Sequence, residues 1–132
     1  MLVVLDTNVL VSGVFWGGNP ERVLIGWQEG RFEVVASPSI VWEYEATLRE
    51  LGKGVPEKVE EWIRIIHVKT RLIMPQLEVK LCRDPKDDKF LSCALEARVD
   101  YVISGDRDLS DLKMVGEIPI LKPAVFVRHH LK

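Results

Sequence analysis

Apolar positions in this chain form short unbroken runs that alternate with stretches repeating every three to four residues. Met1 to Leu5 is one such run, and its branched side chains fit a strand covered on both faces in a parallel sheet. Asp6-Thr7-Asn8 ends it with side chains able to cap a helix through Val9, Leu10 and Val11 toward Gly13. Asn19-Pro20 opens a second helix, with Val23, Leu24 and Trp27 on one stripe and Gly30 as its stop. Phe32 to Ala36 is a second strand, and Ser37-Pro38 starts a helix carrying Ile40, Val41, Tyr44, Leu48 and Leu51 before Gly52 and Gly54.

Pro56 begins another helix, with Val59, Trp62, Ile63 and Ile66 on its stripe. Val68 to Met74 alternates but runs into Pro75, the pattern of an extended edge segment. Asp84-Pro85 opens a helix with Phe90, Leu91, Ala94, Leu95 and Ala97, and Tyr101 to Ser104 is the next strand, broken by Gly105-Asp106-Arg107-Asp108. In Ile118 to Leu121 the proline Pro119 removes a donor and predicts a strand at the sheet edge, and Pro123 starts a terminal helix through Val125 and Phe126. Strands alternating with helices of about ten residues predict an α/β fold: a central, mostly parallel sheet of four to five strands flanked by helices. With no repeat, linker or low-complexity segment, residues 1–132 read as one domain.

Right-handed crossovers place the C-terminal ends of parallel strands on one edge, where ligands bind in open α/β sheets. The acids follow that edge. Asp6 comes directly after the first strand, Glu43 lies in the helix after the second, Asp87 and Asp88 begin the helix before the Tyr101 strand, and Asp106 and Asp108 follow it. Taken singly, each has a structural use: Asp6 as a helix cap, Asp87 and Asp88 as partners of a helix dipole, Asp106 as a turn residue, Glu43 as a solvent-facing side chain. Gathered on one edge they repel one another unless a cation neutralises them. Oxygen ligands without His or Cys select Mg²⁺ or Mn²⁺ over zinc. Such an ion activates water, orients a phosphodiester and offsets charge on the leaving oxygen, which is the chemistry of phosphodiester hydrolysis.

Charge and composition narrow the partners. Eighteen Lys and Arg stand against twenty Asp and Glu, a net charge of −2, so a polyanion must be held by a local patch or through metal. Lys89 and Arg107 flank the acids and are candidate phosphate contacts, as are Arg83 and Lys86; the basic run from Lys122 to Lys132 reads as solvated surface. Phe15-Trp16 is a candidate face for an unstacked base or a protein partner, whereas Trp27 and Trp62 sit on core stripes. The two cysteines, Cys82 and Cys93, lack zinc spacing and exclude a disulfide framework, which points to a reducing cytoplasm. The N-terminal run is too short for a signal segment, and no apolar run approaches the ~20 residues of a membrane span, so a soluble protein without a membrane partner is expected.

Four pieces in order resemble the PIN-domain ribonucleases, particularly the small toxins of toxin-antitoxin pairs. They are Val3-Val4-Leu5-Asp6-Thr7-Asn8-Val9-Leu10, Ser39 through Glu43 and Tyr44, Asp84-Pro85-Lys86-Asp87-Asp88-Lys89-Phe90-Leu91, and Ser104-Gly105-Asp106-Arg107-Asp108-Leu109. The resemblance covers essentially the whole chain. It implies that Asp6, Glu43, Asp88 and Asp106 are the catalytic acids holding Mg²⁺ or Mn²⁺, with Asp108 as an auxiliary ligand. Spacing alone leaves Asp87 and Asp88 equivalent, and the resemblance favours Asp88 because Leu91 and Ala94 follow it at the family's offsets. Asn8 and Ser104 are similar to residues that orient the first and last carboxylates. The implied activity is metal-dependent endoribonuclease cleavage, with an RNA substrate, an antitoxin protein and a homodimer as partners. The competing readings are an RNA-processing nuclease without a toxin role and a non-catalytic RNA- or protein-binding module on the same fold.

Overall fold

The computed structural model describes residues 1–76 and 87–131. Along the chain, β1 (Leu2–Leu5) and α1 (Thr7–Phe15) are followed by α2 (Gly18–Gln28), β2 (Glu33–Ala36), α3 (Pro38–Leu51) and α4 (Pro56–Lys69). Then come β3 (Arg71–Leu72), α5 (Asp88–Ala97), β4 (Tyr101–Ile103), α6 (Arg107–Ser110), β5 (Met114–Val115), β6 (Ile118–Leu121) and α7 (Pro123–His130). The expected opening of α5 at Asp84-Pro85, together with Cys82, Arg83 and Lys86, lies outside the described residues.

Among the described residues the strands form one sheet in the order β3-β2-β1-β4-β6-β5. β1 pairs in parallel with β2 and β4, β2 with β3 and β4 with β6; only β5 runs antiparallel, against β6. The mostly parallel α/β architecture is the one the hydrophobic pattern predicts. The sheet exceeds the expected four to five strands because β5, two residues long, is too short for a periodic signal. β6 is also not the edge that Pro119 suggested. β5 covers it, with Met114 opposite Pro119, and the Ile120 N–H donates to the Lys113 carbonyl, so the ladder steps over the proline.

The core joins the sheet to the helix stripes. Val3, Val4, Leu5, Val34, Val35, Ala36, Val102 and Ile103 are buried completely, as an interior parallel sheet requires. Ile40, Tyr44 and Leu48 of α3 are equally buried, whereas Leu51, on the same predicted stripe, is exposed at the end of the helix. Trp27 and Trp62 are core residues as predicted; Trp42 and Trp16 lie on the surface. The segment from Val68 to Met74 is split, its first two residues finishing α4 and only Arg71–Leu72 adding an edge strand to β2. No helix among the described residues is long and apolar enough to cross a membrane.

The strand order fixes where a site can form. From β1 the chain builds outward to β2 and β3 on one side, then returns to lay β4 and β6 on the other. Connections leaving β1 and β4 therefore diverge and open a crevice at the C-terminal ends of these two strands. The ladder continues past both strands there: the Asp6 N–H donates to the Ile103 carbonyl at 3.1 Å and the Ser104 N–H to the Leu121 carbonyl at 2.9 Å. Asp6 and Ser104 are thereby set side by side.

Candidate active site

Asp6 is the first residue beyond β1 and caps α1, its Oδ1 accepting from the Val9 N–H at 2.8 Å. Ser104 donates its hydroxyl to Asp6 Oδ2 and accepts the Asp106 N–H at 2.9 Å. Asp106 in turn caps the short α6, with Oδ1 accepting from the Asp108 N–H at 2.7 Å. One fully buried serine thus links the carboxylate that follows β1 to the backbone N–H of the acid that follows β4. Burial pushes the Asp6 carboxyl up to about 6; the Ser104 and Val9 hydrogen bonds oppose this, and the neighbouring Asp106 charge adds to it.

Glu43 arrives from α3, which Ser37 caps through its side chain at the Ile40 N–H. In the next residue, the fully buried Tyr44 hydroxyl donates to the Leu5 carbonyl at 2.5 Å and pins α3 to the end of β1. Glu43 is held at both oxygens: Thr7 donates its hydroxyl to Oε2, and Lys89 Nζ lies 2.5 Å from Oε1. Lys89, expected to meet a phosphate, is here engaged with a carboxylate, and its ammonium also lies 5.3 Å from the Phe90 ring centroid.

These groups surround a cleft of about 130 Å³ lined by Asp6, Thr7, Asn8, Glu43, Thr47, Asp87, Phe90 and Asp106. Of the two acids the sequence left equivalent, Asp87 faces the cleft, whereas Asp88, the residue the resemblance favoured, is not among its lining. Consecutive positions of a helix differ by about 100° in direction, so only one of two adjacent acids can share a face with Phe90, three residues on from Asp87. One carboxylate oxygen each from Asp87, Asp106 and Asp108 lie within 4.8 Å of one another. Oxygens around a bound Mg²⁺ stand about 3–4 Å apart, given bonds of ~2.1 Å, so this all-oxygen group fits a hard divalent ion after a small contraction. Exposed Asn8 lines the cleft, and Arg107 is exposed between Asp106 and Asp108.

Other candidates lie elsewhere. α1 starts at the cleft and carries Phe15-Trp16 to its far end, ~12 Å away at 1.5 Å per residue, where Phe15 packs close to Gly52. The basic C-terminal helix is tied down by Arg31, which donates to the His130 and Leu131 carbonyls. His130 stacks against Tyr101 and Phe126. Sequence reasoning missed Thr7 as the partner of Glu43, along with Thr47; only the position of Thr7 next to Asp6 hinted at a role.

Residues 2–108 match the family model described as the PIN domain. The chain belongs to the PIN-domain family. An uncharacterised protein of Methanocaldococcus jannaschii is 32% identical to this PIN chain over 123 residues, covering 84% of it and 74% of the relative. Two solved structures share its fold. A chain from the crystal structure of VapBC2 of Rickettsia felis, bound to a DNA fragment from its promoter, superposes with a TM-score of 0.60 at 10% identity. A chain from the crystal structure of FitAcB of Neisseria gonorrhoeae superposes with a TM-score of 0.56 at 15% identity. Each match covers 92% of this PIN domain and 98% of the other chain.

Proposed function

We propose that this PIN domain is a divalent-metal-dependent endoribonuclease and the toxin component of a toxin-antitoxin pair. The observation that carries the reading is the meeting of Asp6, Glu43, Asp87 and Asp106 in one cleft at the β1/β4 switch point, with Asp108 beside it. The family is one of nucleases, and the likeness to chains of the VapBC2 and FitAcB structures supports the toxin assignment and an antitoxin partner. A homodimer in the cytoplasm belongs to the same reading.

Asp87, Asp106 and Asp108, with Asp6 behind them, would hold Mg²⁺ or Mn²⁺. The ion supplies a polarised water and offsets charge on the phosphodiester. Ser104 ties the Asp6 carboxylate to the Asp106 backbone, and Asn8 on the cleft and the exposed Arg107 are the candidate contacts for the RNA. Tyr44 and Thr7 hold Glu43 at the cleft wall.

The test is cleavage of a mixed pool of single-stranded and folded RNA with Mn²⁺, with Mg²⁺ and with chelator, wild type beside Asp6→Asn. Cleavage that requires metal and is lost in the variant is expected, with growth arrest on induced expression of the wild type only. Equal cleavage by the variant in saturating Mg²⁺ would remove Asp6 from the mechanism. Metal binding without cleavage of any RNA would favour a binding module.

A further inference from the structure

We propose that Lys89 is a built-in counter-cation of the cleft: it neutralises Glu43, so that the site holds a single divalent ion on the Asp87–Asp106–Asp108 side. The inference rests on the reading of the cleft as a divalent-ion site and decides how many ions it takes.

The acids divide into two sets. Glu43 has one oxygen on the Thr7 hydroxyl and the other on Lys89 Nζ at 2.5 Å, with only 28% and 22% of the two side chains exposed. Asp87, Asp106 and Asp108 bring ligand atoms within 4.8 Å of one another, and Glu43 is not part of that group. A charge-assisted contact between two partly shielded groups is stronger than one between neutral groups. A second divalent ion at Glu43 would have to displace an ammonium already occupying the place of its charge.

The position of Lys89 on its helix points the same way. It is the second residue of α5, in the first turn, where the aligned peptide dipoles disfavour a cation. Acids satisfy that end of a helix and a lysine does not, so local helix chemistry does not account for it there. Glu43 of α3, 2.5 Å from its ammonium, does. A fixed ammonium also leaves the cleft less anionic when the metal is absent, which eases the mutual repulsion of the acids.

The experiment is Mn²⁺ titration of the metal-stripped protein at pH 7.5, by calorimetry with electron paramagnetic resonance of free Mn²⁺ as a second readout. Wild type, Lys89→Met, Lys89→Arg and Glu43→Gln are compared, each first checked for a native circular-dichroism spectrum. One equivalent is expected for wild type, two for Lys89→Met, and one for both Lys89→Arg, which keeps the cation, and Glu43→Gln, which removes the carboxylate it serves. Two equivalents in the wild type, or one in Lys89→Met, would overturn the proposal while leaving the metal site standing. No Mn²⁺ bound by the wild type would overturn both. A lysine acting only in packing would not move the stoichiometry, since methionine retains most of its apolar stem.

Discussion

Asp6 is the acid whose burial makes the sharpest forecast. Its carboxyl lies at about 6 in the folded chain against an ordinary 3.8, a gap worth roughly 3 kcal/mol in favour of the neutral acid. Above pH 6 the folded protein carries the ionised form, so the metal-free chain is destabilised by up to that amount relative to one with a neutral group there. Between pH 3.8 and 6 the folded state holds a proton the unfolded state has released, and stability therefore falls as pH rises through this window, then levels off. Asp6→Asn removes the charge but keeps an oxygen for the Val9 N–H, and Asn caps helices as well as Asp does. With some loss in the Ser104 hydrogen bond, the variant should be more stable than wild type by ~2 kcal/mol in chelator at pH 7.5, several degrees in melting temperature. At pH 4.5 the same linkage leaves roughly a third of the gap.

Metal reverses the order. An ion at 100 times its dissociation constant stabilises the wild type by about 2.7 kcal/mol, and a variant that has lost affinity gains little. Thermal melts of the two proteins at pH 7.5 and 4.5, each with chelator and with Mn²⁺, contain the whole test. An Asp6→Asn protein less stable than wild type in chelator at pH 7.5, or a gap that does not narrow on acidification, would refute the reasoning that this acid is held ionised against its own burial.

Three further outcomes follow from the packing around the site. Tyr44→Phe leaves the Leu5 carbonyl without its buried donor and should cost about 1–3 kcal/mol by urea unfolding; an unchanged midpoint would count against the pin. Gly13→Ala places a methyl 2.6 Å from Leu24 Cδ1 and 2.8 Å from the Pro20 carbonyl oxygen where α1 crosses α2, and should destabilise by ~1–2 kcal/mol despite alanine's better helix propensity. Burial pushes the Cys93 thiol up to about 12, so in a Cys82→Ser background it should react with a disulfide reagent at pH 8 only on denaturation. Rapid modification of the native protein would place Cys93 outside the core.

The parts of the site legible in the sequence are those set by local chemistry. Asp6 after an apolar run, Ser37-Pro38 before a helical stripe and Asp106 beside Gly105 each declare a cap or turn, and each sits where that chemistry puts it. The choice between Asp87 and Asp88 was not legible, because one residue along a helix turns a side chain by about 100° and that phase is set by the packing of Phe90 and Leu91. Nor was the pairing of Lys89 with Glu43, two residues 46 positions apart whose meeting depends on strand order. Pro119 misled for a related reason. A missing donor signals an edge only when the partner strand needs that donor, and a two-residue β5 does not.

The arrangement also accounts for why the acids can stand together in a chain of this size. Two of them are helix caps: the Asp6 carboxylate takes up an otherwise unsatisfied N–H of α1, and that of Asp106 does so for α6. Glu43 is matched by Lys89, and α3 is fixed by Tyr44, whose contribution comes from the core and does not depend on the charge beside it. The residual repulsion is concentrated on Asp6, the most buried of the group and the one whose carboxyl is pushed up. A cation entering the cleft relieves that site first, so stability and metal affinity are coupled through one residue at the end of β1.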